Sequence, residues 1–198
     1  EGIKVPRTKE DPAEARNPLT GEPYQETTGL LASLRRLKDP ERVNFQKGSS
    51  ANMMLINNEL KKLGYSKVAR AGILANISVE TGGTFDYQQK QGGGGKGYGI
   101  FQYDFQKSYY DKYLENFNKK DSAQSQVMFT HEVLKGNDKV MGFNTESRQE
   151  LQRVFKESKD PQEVAKVFSD LYEQPGIPHM ERRTSKATEI FNNLSEWV

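Results

Sequence analysis

Two acidic residues, Glu80 and Asp104, have the types and spacing needed for paired acid–base chemistry. Glu80 ends an apolar stretch, and Asp104 follows it 24 positions later. The C-terminal end of a helix carries partial negative charge, and burial also disfavours an ionised carboxylate. Both effects favour a protonated Glu80, which could then act as a general acid near neutral pH. Cleavage of a glycosidic bond needs such an acid and usually a second carboxylate, the role open to Asp104.

The element that must position Glu80 is a helix that is apolar on most of its circumference. Ser66 is a favourable N-cap for this helix, and Gly82-Gly83 predicts its end. A helix that is apolar nearly all round is a buried helix. Its most regular apolar face, at three- and four-residue spacing, consists of Val68, Ala71, Gly72, Ala75 and Val79.

A β-hairpin over residues 85–104 is predicted to bring Asp104 back towards Glu80. Strand-like residues at 85–87 and 98–104 flank a run of four glycines at 92–95. The glycine run predicts a mobile tip that could close over a substrate strand. Asp86, also on the hairpin, is a rival for the second carboxylate, and Asp104 could instead cap the helix that follows it.

Three short motifs in this stretch resemble motifs of known cell-wall enzymes. Glu80-Thr81-Gly82, followed by Gly97-Tyr98-Gly99-Ile100-Phe101-Gln102, is similar to the Glu-Ser and Gly-Leu-Met-Gln motifs of goose-type lysozymes and lytic transglycosylases. Gln102-Tyr103-Asp104 matches the Gln-x-Asp motif of the goose-type enzymes at the same distance from the acid. Over residues 49–194, approximately, the amino-acid sequence is most similar to the phage tail lysozyme family.

The resemblance implies a fold and a pair of catalytic residues. The implied fold is α+β and mostly helical, a lysozyme-like fold with a central buried helix and one glycine-rich β-hairpin. Glu80 would be the catalytic acid, and Asp104 would hold a water for attack on the sugar. The second acidic position of the goose-type enzymes falls in the glycine run here, so a third carboxylate of that kind is not expected. A surface ion pair is the alternative role for Glu80.

The same resemblance implies a set of substrate-binding residues. Gln102 would lie along the sugar cleft, where a side-chain amide can both donate to and accept from sugar groups. Tyr98 and Thr81 belong to the matched motifs, and Tyr172 occupies the place of a cleft tyrosine near the acid. Packing within the hairpin is the alternative for Tyr98, and core burial is the alternative for Tyr172. Glu173, beside Tyr172, is expected to be an exposed helix end.

Further helices are predicted around the central one. Ser50, Ser122 and Thr145 are candidate N-caps, and Asp160-Pro161 is a typical helix start. Gln174-Pro175-Gly176 should break the helix before it. The predicted helices cover 50–63, 66–80, 105–120, 122–135, from 145, from 160, and 178–197.

The first 48 residues differ in composition from the rest of the chain. They contain five of the eight prolines, a density that excludes long helices and central strands. One short amphipathic helix is predicted at 29–38. We interpret residues 1–48 as a proline-rich arm or linker that lies on a neighbouring protein, and residues 49–198 as a lysozyme-like catalytic domain. A segment that wraps its own domain is the alternative.

Composition and failed motifs exclude several classes of function. The net charge is only +2, which argues against nucleic acid as a partner. No apolar run approaches the ~18 residues of a membrane span, and no signal peptide is apparent. With no cysteine and two histidines, a zinc site is not expected, and no cofactor is predicted. The glycine run before Lys96 lacks the phosphate-loop spacing, and His131-Glu132 lacks the second histidine of a zinc-protease motif.

The residues and the resemblance together predict a peptidoglycan-degrading glycosidase of the lysozyme (muramidase) type. The bond would be the β-1,4 link between N-acetylmuramic acid and N-acetylglucosamine. The expected location is a phage particle, tail or ejected protein, acting in the host periplasm or cell wall. Other tail or virion proteins are possible partners through residues 1–48. The alternatives are a lytic transglycosylase on the same bond and a structural tail or baseplate protein that only binds glycan.

Overall fold

The computed structural model describes residues 50–176 and 178–194, which are mostly helical. The proline-rich arm predicted over 1–48, with its short helix at 29–38, lies outside these ranges. Within them, none of the helices is both long and apolar enough to cross a membrane. The α-helices are α1 Ser50–Lys62, α2 Lys67–Glu80, α3 Lys107–Asn116, α4 Ala123–Lys135, α5 Thr145–Glu157, α6 Pro161–Phe168 and α7 Met180–Asn193, with a π-helical turn at Ser169–Glu173.

Helix α2 is the buried centre of the described fold, as the sequence predicts. The Ser66 hydroxyl accepts a hydrogen bond from the Ala69 amide, which fixes the start of the helix. Every residue from Ala69 to Ser78 is buried. Alanine and glycine on this helix allow α6 and α7 to pack closely against it. Burial of residues 69–78 fixes the position of Glu80 at the end of the helix.

Helix α2 approaches α6 closely at Gly72. A Cβ atom at Gly72 would lie 2.4 Å from the Val164 Cγ1 atom and 2.9 Å from the Ala165 backbone nitrogen. We expect Gly72→Ala to destabilise the protein by a net ~1–2 kcal/mol, because overpacking a core outweighs the gain in helix propensity. Urea unfolding measures this. Gly142, whose added Cβ meets no atom within 4 Å, provides the matched control Gly142→Ala. Equal stability of the two variants would contradict the expected effect.

The predicted β-hairpin at 85–104 is wrong. Within the described ranges this stretch contains no strand, only isolated bridges of Tyr98 with Lys90 and with Tyr103. Positive φ angles at Phe85, Gln102 and several glycines turn the backbone away from an extended path. Side chains replace the missing ladder: Gln102 Nε2 donates to the Gly99 carbonyl at 2.8 Å. The stretch is a turn-rich loop. The described part of the chain is therefore helical, with a loop where the β-hairpin was predicted.

The loop that carries Gln102 and Asp104 is anchored on helix α4. Gln126, which is fully buried, accepts a hydrogen bond from the Ile100 amide at 2.8 Å. The Tyr103 hydroxyl donates to the Gln126 carbonyl at 2.9 Å, and its ring is fully buried. Two anchors of this kind, three positions apart, fix the loop although it has no strand.

Most predicted helix boundaries are confirmed. Ser66, Ser122 and Asp160 cap their helices through side-chain hydrogen bonds to the backbone. The predicted cap at Thr145 is wrong: Asn144 caps α5, and Thr145 is its first residue. An asparagine carbonyl is at least as good a cap as a threonine hydroxyl. The last helix is described over Met180–Asn193 and Leu194 is its C-cap, so the predicted end at 197 lies outside the described residues.

Helix α6 is extended at its C-terminal end by a helical turn with a different hydrogen-bond pattern. It continues into a π-helical turn, closed by a hydrogen bond of 2.8 Å from the Gln174 amide to the Ser169 carbonyl. Single π turns of this kind occur frequently at functional sites. The predicted break at 174–176 follows directly. The turn places Tyr172 in the core and Glu173 towards α2 and α7.

Candidate active site

A cleft of about 510 Å³ lies at the C-terminal end of α2. Four segments line it. One is the end of α2 with Glu80, and two belong to the loop, at 89–92 and 101–104. The fourth runs from the π turn to the start of α7. Side chains on these segments include two glutamates, Asp104, Gln102 and Arg183.

Glu80 lies at the base of this cleft and is held by an arginine. Its side chain is 18% exposed, so it reaches the cleft without being fully solvated. The Oε1 atom of Glu80 accepts a hydrogen bond from the Arg183 guanidinium. The predicted position at a helix end is confirmed, and the ion pair with Arg183 is an additional feature.

Arg183 is almost completely buried and connects three parts of the site. Only 1% of its side chain is exposed. Its Nη1 atom donates to Asn76 Oδ1 and to Glu173 Oε2, both at 2.5 Å, and its Nε atom donates to the Pro178 carbonyl at 2.7 Å. Asn76 itself donates to the Gly72 and Ala165 carbonyls at 2.9 Å. The guanidinium is therefore fixed from α2, from the π turn and from the segment that precedes α7.

The expected exposure of Glu173 is wrong. Only 2% of its side chain is exposed, and its Oε1 atom has no hydrogen-bond partner in the described structure. Burial raises the pKa of Glu173 to about 8; the Arg183 charge opposes this rise and the Glu80 charge adds to it. Burial therefore favours the neutral form of Glu173 next to the site.

Asp104 and Gln102 both line the cleft, on the wall formed by the anchored loop. Asp104 is exposed. Asp104 does not cap helix α3, which was its alternative role. Gln106 occupies the N-cap position, and no side chain forms a capping hydrogen bond there. The Gln102 amide donates to the Gly99 carbonyl at 2.8 Å and to the Gln89 carbonyl at 3.3 Å. These bonds hold the Gln102 side chain in place at the cleft wall.

Three other residues predicted to bind substrate do not line this cleft. The Thr81 hydroxyl donates to the Ile77 carbonyl at 2.7 Å and accepts from the Phe85 amide, which closes the end of α2. The Tyr98 hydroxyl donates to Asp121. The Tyr172 hydroxyl is bonded to Thr130 at 2.9 Å in the core.

Burial raises the pKa of both the Tyr98 and Tyr172 hydroxyls well above the ordinary value. In the described structure Tyr98 packs within the loop and Tyr172 packs in the core, as their alternative roles predict. Substrate contact by Tyr98, Tyr172 and Thr81 stays a prediction. The rival acid Asp86 caps the Gln88 amide at 2.9 Å and is also absent from the cleft lining.

Backbone strain is concentrated around the cleft. Gln102, Gln174 and His179 line it with φ angles of 47°, 46° and 45°, a region that residues other than glycine rarely adopt. Such conformations persist where the surroundings impose them, and they cluster at functional sites. Their location supports the assignment of this cleft as the active site.

The sequence alone assigned no functional role to two residues of the site, Arg183 and Glu173. Arg183 lies four residues before Ala187 and seven before Ile190, both buried on the same stripe of α7. An arginine at that spacing is the signal that a buried charge is present. Glu173 has a weaker signal: like Glu80, it is a glutamate at a helix end before a glycine-containing break.

Within the described ranges, no group of three or more histidine, aspartate and glutamate side chains is arranged to hold a metal ion.

Comparison with known families identifies the domain. The model of the phage tail lysozyme family matches residues 51–194, which include α2 to α7, all of α1 except its first residue, and every side chain of the cleft. None of the curated proteins compared with the chain matches it. The matched region covers most of the chain and confirms the resemblance found in the short motifs. The chain therefore belongs to the phage tail lysozyme family, and its domain is that of a peptidoglycan-active enzyme of a phage.

Proposed function

We propose that the protein is a glycoside hydrolase that cleaves the β-1,4 bond between N-acetylmuramic acid and N-acetylglucosamine in peptidoglycan. The observation that carries the proposal is the presence of Glu80, Gln102 and Asp104 around one cleft. Glycoside hydrolysis commonly needs one protonated and one ionised carboxyl group beside the scissile bond. The difference in exposure between Glu80 and Asp104 gives the two groups different environments.

Each of the three residues has a proposed role. Glu80, at the base of the cleft, protonates the glycosidic oxygen. Asp104 accepts a proton from a water, whose oxygen attacks the anomeric carbon from the opposite face and inverts its configuration. Gln102, held by the Gly99 and Gln89 carbonyls, presents its amide to the sugar. No cofactor takes part.

Removal of the proposed base gives the sharpest test of the hydrolytic mechanism. We expect Asp104→Asn to lower kcat by about 10²-fold or more, since general base catalysis contributes 10²–10⁴-fold. Binding to insoluble peptidoglycan should remain close to that of the unchanged protein, because the amide keeps the shape of the carboxylate. Asp86→Asn, which changes the rival acid outside the cleft, is the matched control. A fully active Asp104→Asn would remove the water-base role.

A lytic transglycosylase is the second candidate function. It is favoured by one observation: Asp104 is exposed, and within the described ranges its carboxylate has no hydrogen bond to orient it. In that reaction the 6-hydroxyl of the sugar itself attacks, and a second carboxylate is dispensable. Mass analysis of digested peptidoglycan separates the two, because hydrolysis adds one water to the reducing end and transglycosylation leaves an anhydro end. Binding without any cleavage would support the third candidate, a structural glycan-binding protein.

The proposed setting is a phage particle that acts on the host cell wall at infection, in the periplasm or at the wall surface. The chemistry is assigned to residues 49–198. Residues 1–48 are proposed to form the proline-rich arm that contacts other tail or virion proteins.

A further inference from the structure

Glu80, which reaches the cleft, and Glu173, which is buried, share a single positive charge. Arg183 donates to Glu80 through Nη2 and to Glu173 through Nη1. If both glutamates are ionised, this cluster carries a net charge of −1 in a region where the Glu173 and Arg183 side chains are 2% and 1% exposed. One proton added to either carboxyl makes the cluster neutral. Burial of an unpaired charge is strongly disfavoured, so the neutral state is the stable one.

The contacts of Glu173 indicate which of the two carboxyl groups binds the proton more readily. Its Oε2 atom is engaged by Arg183, while its buried Oε1 atom has no acceptor or donor in the described structure. Burial and the nearby Glu80 charge favour the protonated form of Glu173, and the pKa of Glu173 is raised to about 8. Glu80, at 18% exposure, is the carboxyl of the pair that faces the cleft.

No other charged side chain in the described structure forms an ion pair with Glu173. Helix α5 also packs against the π turn, but its arginines form ion pairs with acidic residues other than Glu173. The Tyr172 hydroxyl, on the same turn, is bonded to Thr130. The titratable and charged groups that face Glu173 or share the cleft with it are Glu80, Arg183, Lys90, Asp104 and His179, with Asp170 and Tyr172 on its own turn.

We propose that Glu173 is a positioning residue that, through Arg183, makes Glu80 and itself a coupled pair holding one proton in common. This rests on the proposed role of Glu80 as general acid. Arg183 is the counter-charge of both carboxyls. A negative charge on Glu173 competes with Glu80 for the guanidinium, so the protonation of one carboxyl depends on that of the other. The last proton of such a pair belongs to both groups.

The pH profile of the variant Glu173→Gln tests the shared proton. The amide keeps an oxygen for Arg183 but cannot ionise, so the Arg183 charge acts on Glu80 alone. We expect the alkaline limb of kcat/KM to move to lower pH by about one unit or more, since an opposite charge at this range shifts a carboxyl by one to three units. At the acidic optimum the activity should stay within about tenfold of the unchanged protein.

The matched control is Asp170→Asn, which removes an exposed carboxylate from the same turn. Its profile should overlay that of the unchanged protein. A Glu173→Gln profile that also overlays it would overturn the shared proton, because a merely structural contact would change the rate or the melting temperature without moving the limb.

A titration of the unchanged protein decides the matter without relying on activity. With ¹³C-labelled glutamate, one side-chain carboxyl resonance should titrate near pH 8 and should move to lower pH in Glu80→Gln, where the Glu80 charge is absent. Completion of all glutamate titrations below about pH 6 would overturn the proposal. If the unchanged protein fails to cleave peptidoglycan, the proposed function fails while this titration still reports on the pair.

Discussion

Glu80→Gln is expected to remove nearly all lytic activity while leaving the protein folded. The amide keeps the size of the carboxyl group but has no proton to give, and a positioned general acid contributes about 10²–10⁴-fold to the rate. Arg183 retains Glu173, Asn76 and Pro178 as partners in the variant, so the buried end of α7 keeps its anchors. The loss should appear in kcat, measured by release of soluble fragments from purified peptidoglycan.

The control for this substitution is Glu115→Gln on α3, a change of the same chemistry at an exposed position outside the cleft. It should leave both the rate and the thermal melt unchanged. A Glu80→Gln variant that digests peptidoglycan at more than about a tenth of the normal rate would contradict the assignment of the acid. A variant that is inactive and also melts far below the normal temperature would leave the loss attributable to unfolding, so the melt is recorded on the same sample.

Sequence reasoning located Glu80 at the end of α2 because this position depends on local pattern. A serine cap, an apolar circumference and a double-glycine stop define α2 within one stretch of chain, and the structure confirms the cap and the burial. The end of a helix with both boundaries fixed is predictable to within a residue. The same holds for the helix that begins at Asp160-Pro161, where cap and proline are adjacent.

The hairpin was mispredicted because strand-like composition says nothing about the partner of each backbone group. In the loop, Gln126 from α4 satisfies the Ile100 amide, and Gln91 satisfies the Gly97 amide at 3.1 Å. A side chain from a distant helix therefore does what a neighbouring strand would do in a sheet. Glycine at 97 and 99 allows this approach, since a Cβ at Gly99 would lie 2.2 Å from Gln126 Oε1.

The charged cluster behind Glu80 could not be found from local pattern. Arg183 is separated from Glu80 by 103 positions and from Asn76 by 107. Each residue alone has a common surface interpretation, and only the packing of α7 on α2 turns them into a buried group. The spacing of Arg183 with Ala187 and Ile190 marks it as buried, but it does not name its partners.

Arg183→Met is expected to destabilise the protein strongly, by about 3–5 kcal/mol. Methionine fills similar volume but donates no hydrogen bond. Its introduction leaves the Asn76 and Pro178 carbonyls without the donor they share, and leaves Glu80 and Glu173 without a counter-charge. Unsatisfied buried acceptors cost about 1–3 kcal/mol each, and buried unpaired carboxyls add to that cost. Urea unfolding at fixed pH gives the difference in free energy of unfolding.

The sign of the pH dependence separates this cause from a simple packing defect. Burial already raises the folded-state pKa of Glu173 above its unfolded value, and Arg183 is the group that opposes the rise. A raised folded-state pKa stabilises the protein at low pH, and this stabilisation is lost as the pH rises through the folded-state value. Without Arg183 the pKa of Glu173 rises further, so the deficit of Arg183→Met should grow above about pH 8, where Glu173 ionises in the unchanged folded protein but stays protonated in the folded variant.

The neighbouring arginine gives the matched control. Arg182 is exposed on the same turn of α7, and Arg182→Met should change stability by no more than about 0.5 kcal/mol at any of these pH values. A deficit of Arg183→Met that stays constant from about pH 7 to about pH 10 would mean that lost packing and hydrogen bonds account for all of it. A deficit that grows with pH while that of Arg182→Met does not would show that the guanidinium of Arg183 neutralises buried carboxylate charge beside Glu80.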